Sequence, residues 1–552
     1  MSILDMIGVA SILPFVAVLT NPILIETNSF LKTLFQISNI FGVENDRQFI
    51  FILGVAVFII LVLSLSVKAI IAYSQQQYIT MIGYNIGKRL MRGYLYQPYS
   101  WFLNRNSAEL AKTILSEVNH IMGSGIRPLL ELIAKIAVTF LLLLLLVIVD
   151  LNLAIIIGFS IGGAYGVIFY FVRRTLHRIG KENLKNNQLR FMTVSEAFGA
   201  NKEIKVGGLE EYYIKNFSDA SKNFSKTQAT ASVLQALPRF FLEAIAFGGV
   251  MLIILYMMKQ TGNFSNILPI ISLYVLAGYR LMPALQQVYA ALTALIFVKP
   301  SLYKLVDDIK SLKLTSSKKN INNYILPLKK SIDLKNIYFS YPQSSKYILK
   351  NINLSIPVNS TIGLIGPTGS GKTTIVDIIL GLLEPQKGDF QVDGQTIRNQ
   401  NIRSWQKAIG YVPQYIYLSD DTVAANIALG IEKEKINQEA IEKASKIANL
   451  HSFVVSELSK KYETLVGERG VRLSGGQRQR IGIARALYHK PKILILDEAT
   501  SALDNQTEEI VMKEIKNLSK DLTIIIIAHR LNTIKDCDMV FKIDKGQIIK
   551  QN

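Results

Sequence analysis

Three short stretches of this chain carry residue types that bind and split phosphate anhydrides. The first is Gly366-Pro367-Thr368-Gly369-Ser370-Gly371-Lys372-Thr373-Thr374, which fits the pattern G-x-x-x-x-G-K-[ST]. Its glycines let the backbone curl until successive N–H groups point inward at phosphate oxygens. A helix starting at the end of such a loop adds its positive end to the same spot. Lys372 is then placed to reach the β- and γ-phosphates, and the Thr373 hydroxyl to hold Mg²⁺. The second stretch is Ile493-Leu494-Ile495-Leu496-Asp497-Glu498, an apolar run ending in two carboxylates. Asp497 suits a Mg²⁺ held through water, and Glu498 suits a base that polarises an attacking water. The third is Leu473-Ser474-Gly475-Gly476-Gln477. A Gly- and Ser-rich helix start of this kind is a second phosphate-binding surface.

These residues need a scaffold that sets strand ends and helix starts side by side. From Ile332 onward short apolar runs alternate with helical ones, which places a layered α/β domain at 332–552. Thr361–Ile365 reads as a buried strand feeding the glycine loop, and Ile375–Leu383 as the helix leaving it. Ile524–Ala528 reads as another buried strand, and His529 after it could by itself be a polar cap on a sheet. The single cysteine, Cys537, excludes an intrachain disulfide and a cysteine metal cluster, and reads as a small packing residue.

Ahead of residue 300 the character changes. Half of the 552 residues are hydrophobic, and they concentrate here. A spanning helix needs roughly 20 apolar residues. Phe49–Tyr73, Leu129–Val149, Leu153–Val172, Phe240–Met258 and Ile267–Phe297 meet that need, while Met6–Leu19 reads as a truncated first span followed by a polar external loop at 20–48. The net charge is +20, and the Lys and Arg ahead of residue 300 gather mainly at 74–127 and 173–239, whereas the outer turns hold few cations. The positive-inside rule puts both basic stretches in the cytoplasm, so the charge implies a membrane protein and no nucleic-acid partner. Loops of this length imply that the spanning helices continue past the bilayer. Pro98–Leu103 and Ile204–Asn216 read as short crosswise helices placed to touch a cytoplasmic domain. Residues 301–331, with Ser316-Ser317-Lys318-Lys319, read as a linker between domains at 1–300 and 332–552.

The run Leu473–Gln477, downstream of the glycine loop and upstream of Asp497-Glu498, resembles the ATP-binding cassette family. The resemblance implies ATP and Mg²⁺ as ligands. Tyr341, in Phe339-Ser340-Tyr341-Pro342, matches the aromatic that stacks on adenine. Gln414, in Tyr411-Val412-Pro413-Gln414, matches the glutamine that senses Mg²⁺ and contacts the membrane domain. Asp504, ending Ser501-Ala502-Leu503-Asp504, matches the loop that crosses to the other subunit, and His529 matches the histidine on the γ-phosphate. Thr464–Gly470 is similar to the exporter motif that touches the long cytoplasmic loops. The implied architecture is a membrane all-α exporter-type transmembrane domain of about six spans, fused to a cytoplasmic α/β P-loop nucleotide-binding domain that hydrolyses ATP. In that family the glycine loop and the Leu-Ser-Gly-Gly-Gln run lie at opposite ends of one cassette. A homodimer follows, in which Lys372 of one copy faces Ser474 and Gly476 of the other.

A narrower resemblance is to bacterial flippases of lipid-linked oligosaccharides (PglK-like). It rests on Pro238-Arg239-Phe240-Phe241-Leu242-Glu243, Tyr279-Arg280-Leu281-Met282-Pro283 and Leu13-Pro14-Phe15. The chain departs from that pattern at its start, where the amphipathic helix and the first half of the first span are absent. Arg280 lies in an apolar run, where a cation at mid-bilayer costs about 2.5–3.5 kcal/mol. With Lys68 and Arg239 it is a candidate for attracting the diphosphate of a polyprenyl-linked sugar chain. The bland alternative is pairing with Glu243 or Glu131. The expected partner is therefore a lipid-linked amphiphile flipped across the bacterial inner membrane, with another exported amphiphile (a lipopolysaccharide precursor, a drug or a peptide) as the rival.

Overall fold

The computed structural model describes residues 28–39, 43, 45–149, 151–261, 268–312, 324–342, 344, 346–500, 502–518, 521–528 and 534–551, and single residues at 15, 18 and 25. The chain divides into two compact units, Met1–Gln97 with Arg105–Leu314, and Pro98–Asn104 with Thr315–Asn552. The segment expected to be the first crosswise helix is helical at Tyr99–Phe102 and groups with the second unit.

The first unit is built from long helices: Asp46–Leu95 of 50 residues, Leu151–Gly199 of 49, Glu210–Thr261 of 52 and Leu268–Ser311 of 44. At 1.5 Å per residue they reach about 65–80 Å, more than twice the roughly 30 Å of a hydrocarbon core. The spans therefore continue well beyond the bilayer, as the long basic loops imply. Among the described residues, Asp46–Leu95 and Met282–Ser311 are long and apolar enough to cross a membrane. The proposed first span at Met6–Leu19 falls almost entirely outside the described residues. Leu268–Ser311 runs through Pro283 and Pro300, so the start of the 301–331 stretch is helical. Leu151–Gly199 and Leu268–Ser311 approach so closely that a Cβ on Gly180 would lie 2.3 Å from the Phe297 carbonyl oxygen. The second crosswise segment is the helix Asn201–Gly207, closed by Gly208 in the left-handed region at φ 60°.

One sequence expectation needs correction here. Residues 20–48 are not simply a polar loop, because Ser29–Asn39 is a helix. Leu31, Leu34, Phe35 and Ser38 follow the helical period and form its inward side, with Leu31 and Ser38 buried. Phe35 meets Phe49 edge to face with ring centroids 5.2 Å apart. The polar residues around this stripe hide it in a simple count of composition.

The second unit holds two sheets. One is antiparallel, with β1 (Ser331–Phe339), β2 (Leu349–Pro357), β4 (Lys387–Val392) and β5 (Gln395–Thr396) in the order β2-β1-β4-β5. The other contains β3 (Thr361–Ile365), β6 (Ile409–Val412), β7 (Ile493–Asp497), β8 (Thr523–Ile527), β9 (Met539–Asp544) and β10 (Gln547–Gln551), in the order β10-β9-β3-β8-β7-β6. β6, β7, β8, β3 and β9 are parallel, so both faces must be covered, and their near-continuous Ile and Leu runs reflect that. Side chains alternate between the faces. Ile493, Ile495, Ile525 and Ile527 pack in the core that contains Ile375, Val376, Ile378 and Ile379 of the helix leaving the glycine loop. Leu494, Leu496, Ile524 and Ile526 pack in the core that contains Ile481, Ile483 and Ala484 of the helix after Leu473–Gln477. One sheet thus separates the helix that starts at Lys372 from the helix that starts at Gly475.

Asp393 ties the edge of this unit together. Its carboxylate accepts from the backbone N–H groups of Lys329, Lys330 and Ser331 at 2.7, 2.7 and 3.0 Å. Partial burial works against the charge, but these donors hold its pKa below the ordinary carboxylate value. Asp393→Ala should cost about 1.5–3 kcal/mol, the value of a hydrogen-bonded charge, read as a lower unfolding temperature. Because the folded-state pKa is depressed, this stabilisation is present above the unfolded value and fades as pH falls through the folded one. The difference between wild type and variant should therefore shrink in acid.

Candidate functional site

The glycine loop sits where the topology puts it, between the end of β3 and the helix Lys372–Ile379. Gly366 has φ 150°, and a Cβ there would meet the Ile543 carbonyl oxygen at 2.1 Å. Gly371 has φ 108°, and a Cβ there would lie 2.7 Å from Leu349 Cδ2. Only glycine lets the loop close over this floor. Lys372 is 5% exposed, and its Nζ donates to the carbonyls of Gly366 at 2.8 Å and Pro367 at 3.0 Å. Burial lowers its pKa, while Glu498 and Asp497 act in the opposite sense. The ammonium is thus folded back inside the loop it serves. Ser370 Oγ, in the same loop, is buried without a hydrogen-bond partner, a donor left unused inside it.

The two carboxylates come from the end of β7. Asp497 is 6% exposed. Glu498 has φ 48°, the left-handed region, which is uncommon for a residue with a side chain. Its Oε2 accepts from Gln414 Nε2 at 2.7 Å, so residues 84 positions apart meet here. Thr373, Gln414 and Asp497 offer hydroxyl, amide and carboxylate oxygens, the hard donors that Mg²⁺ takes, and the residues present fit a magnesium nucleotide.

Tyr341 stands beside the same loop. Its hydroxyl lies 3.2 Å from Thr374 Oγ1, and its ring meets Phe339 edge to face at 5.1 Å. Asp377 and Tyr411 were not singled out from the sequence. Burial and then Asp497 push the Asp377 carboxyl up to about 6. Burial, followed by Asp497 and Asp377, raises the Tyr411 hydroxyl, which also bonds Asp497. The available signal was an aspartate set within Ile375-Val376-Asp377-Ile378-Ile379, an apolar face with no other carboxylate.

Leu473 is buried, and Ser474 caps the helix Gly475–Tyr488. Ser474 Oγ accepts from the Gln477 N–H at 3.2 Å, and the Ser474 N–H donates to Gln477 Oε1 at 2.8 Å, a capping box. Added Cβ atoms on Gly475 and Gly476 would each lie 3.2 Å from Ala502. Asp504 caps a second helix, Asn505–Asn517, accepting from the Thr507 N–H at 2.9 Å. His529 and Ser501 lie outside the described residues. The structure therefore gathers Tyr341, Gly366–Thr374, Gln414, Asp497 and Glu498, and sets Leu473–Gln477 on the other face of the sheet.

Of the three membrane cations, Arg239 is paired: its Nε donates to Glu243 Oε1 at 2.7 Å, one turn along the same helix. That is the pairing alternative. Lys68 lies within Asp46–Leu95, and Arg280 within Leu268–Ser311, where its side chain is outside the description.

Comparison with known proteins gives matches along most of the chain. Residues 349–501 match the family described as ABC transporter, and residues 11–279 the family described as ABC transporter transmembrane region. The ATP-dependent lipid A-core flippase of Saccharophagus degradans is 30% identical over 502 residues, covering 89% of this chain and 82% of that protein. The protein of the same description from Cupriavidus metallidurans is 30% identical over 468 residues, covering 83% and 76%. Among solved structures, a bacterial Atm1-family ABC exporter with ATP bound superposes with a TM-score of 0.75 at 21% identity, covering 100% of this chain and 94% of that one.

Proposed function

Because this chain belongs to the ABC transporter family, with an exporter-type transmembrane domain fused to its nucleotide-binding domain, we propose that it flips a polyprenyl-diphosphate-linked oligosaccharide across the bacterial inner membrane as a homodimer. ATP hydrolysis drives the transport. The observation that supports a lipid cargo is the match, over most of both chains, to relatives described as lipid A-core flippases. A diphosphate-bearing headgroup is supported by cationic residues within apolar runs, Lys68 and Arg280, whose charge suits a phosphate.

The residues divide the work. The Gly366–Thr374 loop binds the phosphates through its N–H groups and Ser370, and Lys372 swings from its own carbonyls to the β- and γ-oxygens. Thr373, Gln414 and Asp497 would hold Mg²⁺, which when bound offsets phosphate charge. Glu498 takes the proton of the attacking water, with Gln414 orienting its carboxylate. Tyr341 serves the base, and His529 the γ-phosphate. Ser474 and Gly476 of a second copy close the site. Only the preference of nucleotide for the closed pair can drive the change of state in the helices.

Reconstituted vesicles test the cargo. Polyprenyl-diphosphate oligosaccharide should raise ATP turnover and appear in the opposite leaflet. Neutralising Lys68 and Arg280 together (Lys68→Gln, Arg280→Gln) should abolish that translocation and leave basal turnover intact. Unchanged flipping in the double variant would discard the diphosphate role. Stimulation by a lipid-anchored sugar lacking the diphosphate would instead favour export of another amphiphile.

A further inference from the structure

The helix that leads from Ser107 into the span at Arg127–Val149 is not uniformly α-helical. Ser107–Lys112 and Val118–Ile121 are α, whereas Thr113–Glu117 and Met122–Ile126 are π-helical. A π-turn closes its hydrogen bonds over five residues instead of four, is uncommon, and concentrates at functional positions. The first of these turns has a visible consequence. Lys112 is 0% exposed and Glu117 is 4% exposed, and their Nζ and Oε1 atoms are 3.3 Å apart. In an α-helix residues five apart point about 140° away from each other. The pair can face one way only because the turn between them is π.

The pair is part of a polar layer, buried at Lys112, Glu117 and Asn187 and half-buried around them. Asn187 Nδ2 donates to Glu117 Oε1 at 3.0 Å and to Ser116 Oγ at 3.1 Å. Lys304 Nζ donates to Glu109 Oε1 at 2.7 Å and to Gln188 Oε1 at 3.3 Å. Arg105 and Asp308 lie 3.8 Å apart. This layer joins the 107–126 helix to Leu151–Gly199 and Leu268–Ser311. Buried ion pairs carry a desolvation cost that apolar side chains avoid, and their best-attested use is to specify one register.

We propose that Lys112 and Glu117 lock the π register of a helix segment that has a second, α-helical register, and that the transport cycle switches between them. They are positioning residues for coupling. In the α register the part below the turn rotates by about 100°, one residue's worth, relative to the span above. Lys112 and Glu117 then separate, and the layer shared with Asn187 opens. A discrete element of this kind, between the Pro98–Asn104 segment and the membrane span in the chain, can be biased from both ends. The inference goes beyond the cargo reading and does not depend on which lipid is carried.

The test is hydrogen exchange on the full-length protein in nanodiscs of phosphatidylethanolamine and phosphatidylglycerol, with and without ATP and vanadate. In the wild type, amides at 113–118 should change their exchange several-fold between the two conditions. Deleting Leu115, which is exposed, removes the extra residue of the turn. Lys112 and Glu117 then stand four apart and still pair in an α-helix. This variant should trap nucleotide and keep basal turnover within about two-fold, yet lose the nucleotide-dependent change in exchange. The pair Lys112→Met with Glu117→Met keeps volume without the lock, and its 113–118 amides should exchange fast in both conditions. Equal exchange in the two conditions for the wild type would overturn the proposal, as would a Leu115 deletion that keeps the full nucleotide-dependent change. Should the deletion not fold, the double methionine variant decides, and wild-type behaviour there overturns it.

Discussion

Replacing Glu498 with glutamine is expected to lower ATP turnover by about 10²–10⁴-fold, the usual worth of a general base, with nucleotide affinity little changed. The amide keeps the shape of the side chain and an oxygen able to accept from Gln414 Nε2, now 2.7 Å from the carboxylate. Only the proton acceptor is lost. The left-handed backbone at Glu498, φ 48°, belongs to the residue's position and should persist in the variant. The loop on β3 proposed to hold nucleotide keeps its glycines and Lys372. Phosphate release and equilibrium nucleotide binding measured side by side check this. A turnover within a few-fold of wild type would move the base elsewhere, and a matching loss of binding would make Glu498 a binding residue.

The second large effect concerns two chains. Lys372→Ala and Ser474→Arg should each abolish vanadate trapping of nucleotide when present in every copy. The second variant also removes a helix cap, which costs about 1 kcal/mol and leaves the domain folded. Mixed in equal amounts and reassembled, the two should recover trapping at about a quarter of wild-type sites, because random pairing makes half the dimers mixed and each of those has one intact composite site. The geometric reason lies in the sheet. The helix at Lys372 packs with Ile493, Ile495, Ile525 and Ile527, and the helix at Ser474 with Leu494, Leu496, Ile524 and Ile526, on opposite faces. If each chain worked alone, every chain in the mixture would carry a lesion and trapping would stay absent. Silence of the mixture therefore removes the head-to-tail pair.

Much of the site was legible before the fold, for local reasons. A glycine loop between a buried strand and a helix, a strand ending in Asp497-Glu498, and a Ser-Gly-Gly helix start each declare their chemistry within a few residues. The structure adds tight floors under Gly366 and Gly371 and a capping box at Ser474. Less visible was what depends on a distant partner. Asp377 looks like one polar residue on an apolar helix until Asp497 is beside it. Arg239 reads as a cation for an anionic cargo until Glu243, one turn on, takes its charge. The helix at Ser29–Asn39 was obscured because its apolar stripe is short and its other faces are polar.

The amino-acid order alone determined the class of chemistry, the alternation of long apolar helices with basic stretches, and the membership in a family of ATP-driven exporters. Those properties are written in residue type and spacing along the chain, where hydrophobic length and loop chemistry act locally. The tertiary structure alone decided that Gln414 meets Glu498, that one sheet stands between the helices starting at Lys372 and Gly475, and that Lys112 and Glu117 face each other. Each of these requires either groups from distant parts of the chain to be brought together, or a helical register that differs from the ordinary one. Packing selects both, by burying apolar faces and by favouring partners for the charges it buries.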